Sequence, residues 1–115
     1  MRTMITEKRS DGDLAENFVA QELQKEGYKI IARNYQKRYG EIDLIAQKDD
    51  ILAFIEVKMR RSNTIPMQEI ISYTKQKKIF LVAREYITVN RVHDKVFRFD
   101  AALVFTDAHN QYQLT

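Results

Sequence analysis

The chain has 115 residues, of which 44% are hydrophobic and 30% charged, and its formal net charge at pH 7 is +3. This length and composition predict one soluble globular domain, residues 1–115, with one hydrophobic core. The absence of cysteine excludes disulfides, thiolate metal sites and cysteine nucleophiles, and it is typical of a cytoplasmic protein. We also expect no membrane association, because the sequence contains no apolar run of membrane-spanning length and no apolar signal segment near its first residue.

The first half of the chain predicts a helix followed by three strands. Apolar residues recur at helical spacing over residues 11–26, and Gly27 is a favourable helix stop. The β-rich residues 28–35 predict a strand. Two further strands are predicted over 41–48 and 51–58.

The second half predicts a helix and two more strands. Helical spacing extends over residues 67–88, after a loop that contains Pro66. Residues 96–105 become increasingly apolar, as in a buried strand, and 111–115 are expected to form a short edge strand. The resulting order is α-β-β-β-α-β-β, which predicts an α/β fold with a mixed sheet flanked by helices.

Basic residues are concentrated in three segments, 28–38, 58–62 and 75–78, whereas acidic residues are concentrated in 7–26. A basic face opposite an acidic helix suits a polyanionic partner. The alternative for each basic segment is an ordinary solvated surface.

The predicted hairpin contains ionisable residues where apolar ones would pack better. If the two aspartates at 49–50 form a two-residue turn, Asp43 lies opposite Glu56, and Glu41 lies opposite Lys58, on one face of the hairpin. Facing carboxylates repel unless a cation lies between them, and that cation is either Lys58 or a hard divalent metal. A three-residue turn would place the two acids on opposite faces. The other face is expected to carry Ile42, Leu44, Ile55 and Val57.

This arrangement of Asp43 and the segment Glu56-Val57-Lys58 resembles the core motif of the PD-(D/E)xK nuclease superfamily. Over nearly the whole chain, the sequence also resembles the YraN-like family of small bacterial proteins. That family is similar to archaeal Holliday-junction resolvases, so the resemblance implies a restriction-endonuclease-like fold. The segments that carry it are, in order, GDLAENFVAQELQKEGY, IARNYQKRYGEIDLIA, FIEVKMRRS, TKQKKI and RFD.

The resemblance implies a metal-dependent endonuclease that hydrolyses DNA phosphodiester bonds, with branched or recombination intermediates among its candidate substrates. Asp43, Glu56 and the Val57 carbonyl oxygen would bind Mg²⁺ or Mn²⁺. Lys58 would lie near the attacking water, and Glu16 would be an additional catalytic and metal-binding acid from the first helix. By analogy with the resolvases, a homodimer is one expected arrangement.

Contacts with DNA are expected from basic residues around these acids. Phosphate contacts position a duplex without reading its sequence. Because no recognition helix is evident, we expect binding that selects for shape. The predicted nucleic-acid-binding residues are Arg33, Arg60, Arg61 and Lys75.

Two functions of other classes remain open from the sequence. One is a catalytically silent nucleic-acid-binding module, and the other is an interaction subunit of a larger DNA-processing complex. For individual residues, the structural alternatives are solvent-facing strand positions for Asp43 and Glu56, an ion pair from Lys58 to Glu41 or Glu56, and a solvated helix acid for Glu16.

Several other polar and aromatic residues are expected to be structural. Arg98 and Asp100 lie on one strand face and are expected to pair with each other. We expect Tyr73, Phe80 and Tyr86 to belong to the core or its flank rather than to stack on bases.

Overall fold

The structure is a computed structural model, and it describes residues 3–5, 11–60, 72–106 and 111–114. After a first short strand, its elements follow the predicted order α-β-β-β-α-β-β, and the predicted α/β fold is confirmed. The elements are β1 (Thr3–Ile5), α1 (Asp11–Lys25), β2 (Lys29–Lys37), β3 (Gly40–Lys48), β4 (Ile51–Arg60), α2 (Tyr73–Val89), β5 (Val96–Thr106) and β6 (Gln111–Leu114).

The six strands form one mixed sheet in the order β1-β6-β5-β4-β3-β2. Strands β4 and β5 pair in parallel, and the other pairs are antiparallel. β6 was expected at an edge, but this prediction is wrong because β1 pairs with its outer side. β1 has only three residues, which is too short for a recognisable alternating pattern.

Helix α2 connects the two parallel strands and begins at Tyr73, later than predicted. Ser72 is its N-cap, with an extended backbone and a side-chain oxygen that accepts a hydrogen bond from the Lys75 amide at 3.2 Å. Residues 67–71, where the helix was expected to begin, lie outside the described residues. Neither α1 nor α2 is long and apolar enough to cross a membrane.

The two helices pack on opposite faces of the sheet, here called the α1 face and the α2 face. On the α1 face, α1 packs against apolar side chains of β3 and β4 in one buried cluster. On the α2 face, α2 contributes Ile79, Val82 and Ala83 to a second cluster with Ile45 and Phe54. The central strands are therefore covered on both sides, as expected of strands beside a parallel pair.

In both β2 and β3, the regular alternation of side chains between the two faces of the sheet is interrupted, at positions that lie side by side. Ile42 and Ile45 belong to the same cluster on the α2 face, although strict alternation would place them on opposite faces. The prediction that Ile42 shares a face with Leu44 is therefore wrong. The strand partner at this level, Asn34, has a φ of 50°, a left-handed conformation that asparagine tolerates better than most residues. The interruption lies at Asp43, the first of the predicted site acids.

Candidate functional site

The hairpin that carries the two acids has the predicted turn. Lys48 pairs with Ile51, so Asp49 and Asp50 form the two-residue connection, and the pairing continues as far as Leu44 with Ile55. Beyond this pair the predicted partners do not form, neither Asp43 with Glu56 nor Glu41 with Lys58. The strands separate because β3 is irregular at Asp43, whose side chain rather than its backbone bonds to β4.

Asp43 is buried, with 8% of its surface exposed. Its Oδ2 accepts a hydrogen bond from the Val57 amide at 2.7 Å. Burial raises the pKa of Asp43 to about 6; the Val57 hydrogen bond opposes this shift, and the negative charge of Glu56 adds to it. Asp43 therefore titrates close to neutral pH and would be stabilised in its charged form by an added cation.

Glu56 is also buried, with 5% of its surface exposed, and two lysines contact the same carboxylate oxygen. Lys75 Nζ lies 2.6 Å from Glu56 Oε1, and Lys58 Nζ lies 3.5 Å from it. The interpretation of Asp43 and Glu56 as solvent-facing charges is therefore wrong. The ion pair expected for Lys58 forms with Glu56, its neighbour two residues away on the same strand.

The pKa values of the two lysines shift in opposite directions. Burial lowers the pKa of Lys58, and the neighbouring ammonium of Lys75 lowers it further. Burial would also lower the pKa of Lys75, but its contacts with Glu56 and Lys58 and the negative charge of Asp43 together outweigh burial and raise it. Lys75 is thus the tighter counter-ion, and Lys58 is the cation whose charge is more easily lost.

One oxygen of this site has no partner within the described part of the chain. Glu56 Oε2 is buried and forms no hydrogen bond there. A buried carboxylate oxygen without a partner is costly unless a cation or water satisfies it. Together with Asp43 and the Val57 carbonyl oxygen, it offers the oxygen ligands that Mg²⁺ and Mn²⁺ favour, so these residues fit a divalent metal.

The remaining predicted acid is not part of a larger acidic group. Over the described ranges, no three acidic or histidine side chains form a metal-binding group, so the structure does not join Glu16 to Asp43 and Glu56. Its assignment as a ligand stays a prediction. Glu41 is exposed and accepts a hydrogen bond from Gln36 at 3.1 Å.

The predicted DNA-binding residues separate into different parts of the molecule. Arg33 lies on the α1 side of the sheet and donates to Asn17 of α1 at 2.6 Å, so it is not near Glu56. Arg61 and the side chain of Arg60 lie outside the described residues. Of the four, only Lys75 is placed at the two acids.

The position of Lys75 was missed in the sequence, where it was assigned to phosphate contacts alone. A signal was present, because Lys75 precedes the core residue Ile79 by one helical turn and so shares its face. Both residues line a cavity of about 310 Å³ between α2 and the hairpin. The other residues that line it are Gly40, Glu41, Glu56, Ser72, Thr74 and Lys78.

Outside this cavity, the structural expectations have different outcomes. Arg98 pairs with Asp100 as expected, at 2.9 Å, and donates to the Tyr28 hydroxyl at 2.7 Å. Tyr86 packs against the α2-face core, also as expected. Tyr73 and Phe80 are instead strongly exposed, with 73% and 54% of their surfaces accessible.

Comparison with known proteins identifies relatives over most of the chain. The sequence profile of the family described as "Uncharacterised protein family UPF0102" matches residues 15–104. A UPF0102 protein of Alkaliphilus metalliredigens is 43% identical over 97 residues, which cover 84% of this chain and 85% of that protein. One from Clostridium perfringens is 39% identical over 108 residues, covering 92% of this chain and 88% of the relative. A more distant one, from Myxococcus xanthus, is 31% identical over 104 residues, covering 90% and 82% respectively.

Proposed function

The chain belongs to the UPF0102 family, and we propose that it is a divalent-metal-dependent endonuclease that hydrolyses DNA phosphodiester bonds. The observation that carries the proposal is the pair of buried acids, Asp43 and Glu56. Lys58 and Lys75 contact one oxygen of Glu56, and its other oxygen has no partner among the described residues. Burying such groups is costly, and no packing requirement of a small domain explains it. Strongly perturbed ionisable groups that converge beside a cavity are typical of catalytic sites.

Each residue has a separate part in the proposed reaction. Asp43, Glu56 and the Val57 carbonyl oxygen would hold Mg²⁺ or Mn²⁺, which when bound supplies electrophilic activation of the phosphate. Lys58 would position the attacking water or offset negative charge on the phosphate oxygens. The water adds to phosphorus and gives up a proton, one bridging P–O bond breaks, and the leaving oxygen takes up a proton, so that the products are a phosphate monoester and a hydroxyl group.

Electrostatics favour a polyanionic substrate at this cavity. Lys75 and Lys78 line it from α2, and Lys58 lies beside Glu56 on β4. Such a cluster attracts phosphates without distinguishing base sequence. The substrate is therefore held by its backbone, which agrees with selection by DNA shape.

The decisive experiment is cleavage of four-way junctions, flaps and linear duplex with Mg²⁺ or Mn²⁺. Glu56→Gln and Lys58→Met should each lower the cleavage rate by at least about a hundredfold, the typical effect of removing one transition-state contact. Glu85→Gln is the matched control, because Glu85 is a carboxylate of α2 that pairs with Lys37 away from the cavity. Cleavage that persists in both site variants would exclude this active site.

One observation favours the alternative of a silent nucleic-acid-binding module. Lys75 already neutralises Glu56 from within the protein, as would suit a site that needs no metal. The two functions differ in metal binding, which raises the melting temperature of an enzyme with a metal site. An endonuclease should be stabilised by Mn²⁺ in wild-type form but not as Glu56→Gln, whereas a silent module should show the same response in both.

A further inference from the structure

An apolar groove opens on the α2 face directly beside Glu56. Its volume is about 610 Å³, within the range of small-molecule binding sites. Glu56 and Ile79 line both this groove and the cavity described above, so the two spaces meet at the candidate active site. A group bound in the groove would therefore lie next to a phosphate held at Glu56.

Exposed aromatic rings form the outer part of this groove. Phe99 of β5 is 46% exposed and Phe80 of α2 is 54% exposed, and their ring centroids are 6.1 Å apart. Phe99 also stacks on the buried ring of Phe54, at a centroid distance of 5.4 Å. The rings thus form a row that begins in the core and ends in solvent. Exposed apolar side chains that adjoin one another in this way, rather than lying singly, are typical of binding surfaces.

Lysines of α2 lie in this groove and in the adjoining cavity. Lys77 lines the groove, and its ammonium lies 5.2 Å from the ring centre of the exposed Tyr73. Lys75, two residues before Lys77 in α2, lies at Glu56. Aromatic rings interleaved with cations are the pattern by which proteins bind single strands, since bases stack on the rings while the cations attract the phosphates.

We propose that this groove receives the base of an unpaired nucleotide adjacent to the scissile phosphate, with Phe80 and Phe99 as its stacking surface. The inference rests on the proposed nuclease function and narrows its substrate to strands that contain unpaired nucleotides. A paired base remains stacked inside its duplex, and extruding it costs free energy that an already unpaired base does not require. Flaps, gaps and branched junctions supply such bases, whereas a continuous duplex does not.

A second copy of the chain is the competing occupant, and the charges argue against it. A symmetric dimer through this face would bring the lysines of both α2 helices towards each other. Like charges across an interface are unfavourable, whereas a nucleic-acid strand supplies the opposite charge. Lys77 lines the groove, and Lys75 and Lys78 line the adjoining cavity. The two acids that line the groove are already paired within the protein, Glu56 with Lys75 and Asp100 with Arg98.

The test measures DNA binding in EDTA, so that it does not depend on metal or cleavage. The probes are a duplex with one unpaired fluorescent aminopurine and the same duplex fully paired. Wild-type protein should bind the unpaired probe more tightly and quench its fluorescence through stacking. Phe99→Ala and Phe80→Ala should each weaken binding to the unpaired probe by about fivefold or more, the loss of one base–aromatic stack, and leave binding to the paired probe unchanged.

Two further variants separate stacking from structural damage. Phe99→Tyr keeps a ring and should keep the quenching, whereas Phe99→Leu keeps an apolar side chain and should lose it. Phe97→Ala is the matched control, because Phe97 is an exposed phenylalanine of the same strand outside the groove lining. It should bind both probes as the wild type does.

The failures of the two proposals are distinguishable. If the wild type cleaves DNA in a Glu56-dependent way but binds both probes equally, the groove proposal fails and the nuclease proposal stands. Equal losses on both probes in Phe99→Ala would likewise overturn stacking. A wild-type dimer that Phe99→Ala converts to a monomer, without any change in probe selectivity, would assign the face to self-association and overturn the groove proposal.

Discussion

The two faces of the sheet differ in how completely their helices cover them. On the α1 face, α1 buries Leu14, Phe18 and Val19 against the central strands. On the α2 face, α2 covers β3 and part of β4 but leaves Phe97 and Phe99 of β5 exposed. Glu56 contacts α2 through Lys75, at the boundary between the covered and open parts of this face. The α1 face is thus closed by its helix, whereas the α2 face holds the open groove and the acids to which the proposed function is assigned.

The largest expected effect is the difference in the free energy of unfolding lost when one phenylalanine side chain is removed from each face. Phe18→Ala on the α1 face should lower the free energy of unfolding by about 3–5 kcal/mol, because it removes a fully buried side chain and leaves a cavity. Phe99→Ala on the α2 face should cost under about 1 kcal/mol, since that ring is half exposed. Urea unfolding of both variants measures this difference. Similar losses in the two variants would mean that the α2 face is as much a part of the core as the α1 face.

A smaller effect of opposite sign is expected at Asp43. Asp43→Asn should raise the free energy of unfolding at pH 8 by about 1–2 kcal/mol, because it removes a charge that burial disfavours while an amide oxygen can still accept the Val57 hydrogen bond. The same variant should lose cleavage. A site held for function rather than stability is expected to show this combination.

The pH dependence of this gain follows from the direction of the pKa shift. Because the pKa of Asp43 is raised to about 6 in the folded protein, the folded state takes up this proton before the unfolded state as the pH falls. Protonation of Asp43 therefore stabilises the wild type as the pH falls through 6. The difference in the free energy of unfolding between the wild type and Asp43→Asn should disappear by about pH 4. Unfolding curves of both proteins at several pH values measure this. A constant difference between them would contradict the buried charge as its cause.

The smallest expected effect is the difference in stability between variants of two nearby lysines of α2. Lys75→Met should lower the free energy of unfolding by about 1 kcal/mol, because Glu56 loses its nearer counter-ion while Lys75 itself is partly exposed. Lys77→Met should change it by less than about 0.5 kcal/mol, since Lys77 contacts only the exposed ring of Tyr73 among the interactions described for it. Thermal unfolding at low and high salt measures both. Equal effects would mean that Lys75 is an ordinary surface lysine.

The sequence by itself determined the order of the elements from α1 onward, the position of the hairpin turn and the choice of Asp43 and Glu56 as candidate site acids. Helical and strand periodicities are local, and so is the turn, so these could be read from short segments. The motif of Asp43 and Glu56-Val57-Lys58 was also visible, because its residues lie on two adjacent strands joined by that turn.

Only the tertiary structure decided how these groups meet. The position of Lys75 at Glu56 depends on where α2 crosses the sheet, and the separation of β3 from β4 depends on the irregularity at Asp43. The open groove depends on how far α2 extends over β5, which sets the exposure of Phe99. Each of these features is a contact between segments distant in sequence, and long-range packing rather than local preference fixes such contacts.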